Sequence, residues 1–109
     1  MDFIRVGALA EVPDGELRAF ETPGGRVVVA HLEHHLFAFG DECTHAGCSL
    51  ADGDLDDRDE TVSCRHDGSV FDVATGEPTE GPAVDPVPIF PTRVVDGWIE
   101  VQPVAGDSS

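Results

Sequence analysis

Lysine and tyrosine are absent from this chain, tryptophan occurs once, and cysteine only three times in 109 residues. Six arginines face 22 acidic side chains, for a formal charge of −16 at pH 7. That balance argues against nucleic acid and anionic membranes as partners, because both are held by clustered positive charge. It suits a partner with a basic patch, where complementary charge speeds encounter, and it serves solubility equally well. No apolar run approaches the roughly 20 residues of a membrane span. Residues 1–10 include Asp2 and Arg5 and lack the continuous apolar core of a secretory signal. A soluble, cytoplasmic, monomeric protein is therefore expected. Neither an internal repeat nor an interdomain linker is visible, so the expectation is a single domain, 1–109, with a modest core and a frayed tail at 106–109. No general-base constellation is present either, which weighs against an enzyme in its own right.

Short apolar runs punctuated by turn residues read as all-β. Strands are predicted at 3–6, at 17–21 and 26–32 across Pro23-Gly24-Gly25, and at 36–39 after a turn at His34-His35. Further strands are expected at 61–63, at 69–72, and in a hairpin of 92–95 with 98–101 around Asp96-Gly97, a strong two-residue turn signal. A single helical turn fits within 6–11. Pro78, Pro82, Pro86, Pro88 and Pro91 exclude regular helix from the stretch they punctuate. The acidic run 52–60 reads as an exposed turn or short hairpin. Trp98 is expected in the core, and His31, His34 and His35 as solvated or packing residues.

Two motifs carry the chemistry. Cys43-Thr44-His45-Ala46-Gly47-Cys48 comes first, and Cys64-Arg65-His66-Asp67-Gly68-Ser69-Val70-Phe71 follows, with eighteen residues between His45 and Cys64. Soft thiolates suit one iron and imidazoles another, and a pair of Cys-plus-His loops is the ligand set of a Rieske [2Fe–2S] centre. Zinc is the other use of such residues. It leaves unexplained both Gly68-Ser69-Val70-Phe71 and the Pro-rich 81–88.

On these motifs the chain resembles the small Rieske-type ferredoxins, from about residue 3 to residue 101. The family pattern is C-x-H, a spacer, then C-x-x-H-G-S-x-F. Cys43 and His45 match its first half, and Cys64, Gly68, Ser69 and Phe71 match its second. The resemblance implies an antiparallel β-sandwich with a small cluster-binding subdomain of two loops, at about 41–75. It implies a [2Fe–2S] cluster and one-electron transfer from a flavin-dependent reductase to an oxygenase. It also places Pro82 in a loop that covers the cluster, and Gly47, Cys48, Gly68, Ser69 and Phe71 around it.

The second loop departs from the pattern. Counted from Cys64 or back from Phe71, the position of the second histidine ligand is held by Asp67. The resemblance thus implies Cys43, His45, Cys64 and Asp67 as ligands, with His66 as the alternative fourth ligand if the loop shifts. Asp67 would add a negative charge to both redox states and lower the potential. Ser69 stands where some high-potential relatives place a hydroxyl donor to a sulfide, which acts the other way. Cys48 stands where respiratory relatives form a disulfide, but the partner position is His66. A free, largely buried thiol is therefore expected at Cys48, in a reducing compartment. Two other readings stay open. One is a structural small subunit of a nitrite reductase-like complex, which predicts a weak or absent cluster. The other is an iron–sulfur sensor, which no residue specifically supports.

Overall fold

The run Val27-Val28-Val29-Ala30 sets the architecture, because all four side chains are buried. A strand turns successive side chains to opposite faces, so such a run must be covered on both sides. The computed structural model shows how, and describes residues 3–22, 25–33, 35–41, 49–56, 58–65, 68–81 and 85–102. In chain order the strands are β1 (Ile4–Ala8), β2 (Glu16–Thr22), β3 (Gly25–Leu32), β4 (His35–Gly40), β5 (Asp54–Asp56), β6 (Thr61–Ser63), β7 (Val70–Asp72), β8 (Pro78–Glu80), β9 (Ile89–Phe90), β10 (Thr92–Val95) and β11 (Trp98–Val101). Single 3-10 turns occupy Leu9–Glu11 and Leu50–Asp52.

The strands form three antiparallel sheets, in the orders β1-β11-β10, β2-β3-β4-β9 and β5-β6-β7-β8. Alternation along β3 divides its side chains between two cores. Val28, Ala30 and Leu32 join Phe39, Leu50, Val62, Cys64, Phe71, Val73 and Val87. Val27 and Val29 join Val12, Phe20, Ala38, Ile99 and Val101 on the other side. The β2-β3-β4-β9 sheet is therefore the middle layer. It meets the β1-β11-β10 sheet on one face and the sheet that carries Cys64 on the other.

The expected all-β class and its main hairpins are present, and the predicted helical turn is the 3-10 turn at Leu9–Glu11. At the predicted Asp96-Gly97 turn both residues have positive φ, 53° and 81°, as a two-residue hairpin turn requires. The acidic spacer forms a hairpin, with Asp54, Leu55 and Asp56 paired to Ser63, Val62 and Thr61. Sequence patterning did not reveal β8 and β9. Both are short edge strands, β8 beginning with Pro78 and β9 lying between Pro88 and Pro91, and an edge is where proline is tolerated in a sheet. Trp98 corrects an expectation: it is 39% exposed, while Ile99 and Val101 turn inward. Its ring lies on the outer face of β11, with the Arg5 guanidinium carbon 4.8 Å from the centroid. Cation–π contact, rather than burial, is its role.

Gly53 fixes how closely the Leu50–Asp52 turn approaches β6. A Cβ at this position would run into the Ser63 carbonyl oxygen, and backbone cannot swing aside as a flexible side chain can. Gly53→Ala should therefore cost about 1–3 kcal/mol, lowering Tm by roughly 5–20 °C. A thermal melt within 2 °C of the parent, on the order of a few tenths of a kcal/mol, would show that the approach is not tight.

Candidate metal centre

The second motif is built on a hairpin. β6 ends at Ser63 and delivers Cys64 into the interior, where it is 2% exposed. The Cys64 N–H donates to the Ser69 carbonyl at 2.7 Å, and the Gly68 N–H donates to the Cys64 carbonyl at 2.9 Å. These bonds close the 64–69 connection before β7 begins. Gly68 has φ +78° with open space where a Cβ would be, so it serves the turn and not a close approach. Ser69 and Phe71 are fully buried, and Phe71 shares a core with Cys64. On the surface beside this hairpin, Arg65 lies 3.4 Å from Asp54. An open groove of about 430 Å³ runs along β5 to β8, with Asp54, Asp56, Asp59 and Glu80 among its lining residues.

The segment containing the first motif leaves β4 and returns at Ser49. Asp41, the residue after β4, is bonded to Ser49, Leu50 and Ala51 across that interval, and it is 8% exposed. Ser49 Oγ lies 2.8 and 2.9 Å from the two carboxylate oxygens, and the Ala51 N–H donates to Oδ1 at 3.0 Å. The Leu50 N–H donates to the Asp41 carbonyl at 2.6 Å. Arg26 Nε, from β3, stands 3.6 Å from Oδ2. A buried carboxylate is tolerated when it is hydrogen-bonded and paired, and Asp41 is both. Sequence reading passed over it as one acid among 22. Its only local signal is its place two residues before Cys43, because its hydrogen-bond donors Ser49 and Ala51 lie eight and ten residues away and Arg26 lies on another strand.

The Pro-rich segment is tied in by its C-terminal end. The Gly40 N–H donates to the Pro88 carbonyl at 2.9 Å, and the Val87 N–H donates to the Gly76 carbonyl at 2.8 Å. Val87 and Pro88 thus join the residue before Asp41 to the turn that follows β7. That turn is held by Asp72, whose Oδ1 accepts from Ala74 N–H at 2.8 Å and Thr75 N–H at 3.1 Å.

Of the residues singled out in the sequence, Cys43, His45, Gly47, Cys48, His66, Asp67 and Pro82 lie outside the described residues, as do His34 and 106–109. Among the described residues no group of three or more His, Cys, Asp or Glu could hold a metal. His31 is a packing residue. Its Nδ1 lies 2.7 Å from the Val12 carbonyl, to which it donates, and its side chain is 14% exposed. Cys64 is disulfide-bonded, and its partner lies outside the described residues. Once reduced, Cys64 offers a soft anionic thiolate, the kind of donor that one iron of a Rieske cluster uses. One sulfur cannot serve a disulfide and an iron together, so the metal-binding state is the reduced one. At Cys64 the donor chemistry and the dry, closed hairpin fit an iron–sulfur cluster.

The Rieske [2Fe-2S] domain family matches residues 2–91, and the chain belongs to that family. Its fold and relatives define a Rieske ferredoxin, an electron carrier whose cofactor is a [2Fe–2S] cluster. The chain is 32% identical over 96 residues to the anthranilate 1,2-dioxygenase ferredoxin subunit of Burkholderia cepacia, covering 88% of this chain and 87% of that one. Among solved structures it superimposes on the ferredoxin of carbazole 1,9a-dioxygenase from Nocardioides aromaticivorans IC177 with a TM-score of 0.89. That pair is 30% identical and covers 94% of this chain and 99% of the other. A TM-score of 0.85 at 29% identity, covering 98% and 95%, relates it to a chain in a complex of reduced oxygenase and oxidized ferredoxin in carbazole 1,9a-dioxygenase. No helix among the described residues is long and apolar enough to cross a membrane.

Proposed function

We propose that this protein is the ferredoxin component of an aromatic ring-hydroxylating dioxygenase system, taking single electrons from a flavin-dependent reductase and passing them to a terminal oxygenase. The observation that carries this reading is the nearly full-length likeness to dioxygenase ferredoxin subunits. Cys43, His45, Cys64 and Asp67 hold the cluster in this reading, with His66 as the rival to Asp67. The chain works as one domain, 1–109, with the cluster-binding part at about 41–75, as a monomer in the cytoplasm.

When bound, the cluster supplies reversible one-electron storage. The protein's own residues hold and shield it. Burial of Cys64 beside Leu50, Val62 and Phe71 keeps water from the thiolate, and burial and hydrogen bonding around cluster sulfurs are levers on potential. The acidic groove along β5 to β8 supports docking on a basic surface.

The test is anaerobic reconstitution of the thiol-reduced chain, followed by reductive titration and stopped-flow mixing with the oxygenase of a carbazole or anthranilate system. Two irons, two sulfides and one electron per chain are expected, and the rate of electron delivery should fall as salt rises. A chain that takes up no iron would instead fit the structural small subunit. A rate indifferent to salt would remove the electrostatic docking.

A further inference from the structure

We propose that Asp41 is a positioning residue for the cluster: its carboxylate, bonded to Ser49 and Ala51, joins the two ends of the 42–48 segment and sets them against the Cys64 hairpin. This rests on the cluster reading above. The carboxylate takes both of its oxygens out of water and satisfies them from the far end of the segment and from β3. Hydrogen bonds to an ionised acceptor are shorter and roughly twice as strong as neutral ones, so this closure is stiffer than a backbone turn. Leu50, between the two residues that bond the carboxylate, is fully buried in the same core as Cys64. Asp41 therefore fixes the base of one ligand segment, and Leu50 transmits that position to the hairpin carrying the other. The Gly40–Pro88 bond next to it anchors the base to the Pro-rich segment. A segment whose ends are already fixed loses less freedom when its donors take a metal.

The comparison uses Asp41→Ala, Asp41→Asn and Ser49→Ala in the reconstituted full chain. Ile99→Ala serves as control, since Ile99 lies in the core on the other side of the middle sheet; Ile99→Val replaces it if Ile99→Ala does not fold. Cluster loss to a ferrous chelator is followed by visible absorbance, with the EPR spectrum of the reduced protein recorded for each variant. The expected result is a loss at least tenfold faster for Asp41→Ala, an intermediate rate for Asp41→Asn and Ser49→Ala, and changed g values in Asp41→Asn. The control, at equal or lower Tm, should stay within twofold of the parent. Should Asp41→Ala fail to fold, the two milder variants decide the matter by the same criteria. Equal rates in the Asp41 variants and the control, with unchanged g values, would reduce Asp41 to a general stability role and overturn the proposal. Iron and sulfide analysis of the parent comes first. A parent without cluster overturns the cluster reading and this proposal with it, whereas a loaded parent with indifferent variants overturns this proposal alone.

Discussion

On the proposed ligand set, exchange of Asp67 for histidine should raise the reduction potential on the order of 100 mV, a fraction of the several hundred millivolts separating clusters with mixed histidine and cysteine ligands from all-cysteine ones. The sign follows from charge. A carboxylate ligand makes both redox states one unit more negative than an imidazole does, and an electron is harder to add to the more negative centre. Removing that charge eases reduction. The same exchange should change what pulsed EPR detects, from one coupled imidazole in the parent to two in the variant. It should also steepen the alkaline pH dependence. Ligand imidazoles deprotonate more readily on the oxidised cluster, so potential falls as pH rises, and a second imidazole adds a second proton to the slope. Two coupled imidazoles already present in the parent would assign the fourth ligand to His66 and sink the Asp67 assignment.

Truncation of Phe71 to alanine should be strongly destabilising in the core that holds Cys64. Phe71 is fully buried and packs in the cluster that contains Leu50, Val62, Cys64, Val73 and Val87. Removing a buried phenylalanine ring costs about 3–5 kcal/mol in lost transfer energy and residual cavity. For a chain of this size that is a fall in Tm of roughly 15–30 °C, and a large part of a total stability of about 5–15 kcal/mol. The damage should be local as well as global. The cavity would open beside Cys64, so iron should be lost to a chelator faster at temperatures where the far-UV circular dichroism is still native. A Tm loss under about 5 °C, equivalent to roughly 1 kcal/mol, would mean that the ring is not part of the packed core.

Much of the fold was legible because its signals are local. Asp96-Gly97 marks a hairpin by the dihedral angles it permits, and the apolar run in β3 marks a strand by side-chain type. The Cys64 hairpin was legible for the same reason, since Gly68-Ser69-Val70-Phe71 specifies a turn and a returning strand. Trp98 was misread because an aromatic in a strand looks like core until the pairing of β11 decides which face it takes. Asp41 was missed because nothing about a lone acid announces that Ser49, Ala51 and Arg26 will converge on it. β8 and β9 were missed because two or three residues beside prolines carry too little pattern, and only a neighbouring strand makes them extended.

The amino-acid sequence by itself determined the class of chemistry, since thiolate and imidazole preferences for iron belong to the residues and travel with their spacing. It also determined the β hairpins, which depend on turn residues and on alternation over a few positions. Tertiary structure alone decided that β3 serves two cores, that Trp98 faces outward, and that the buried Asp41 carboxylate is bonded to Ser49 and Ala51. Those outcomes depend on which distant backbone donors and apolar faces come together, and a hydrogen bond or a packed face exists only once both partners are in place.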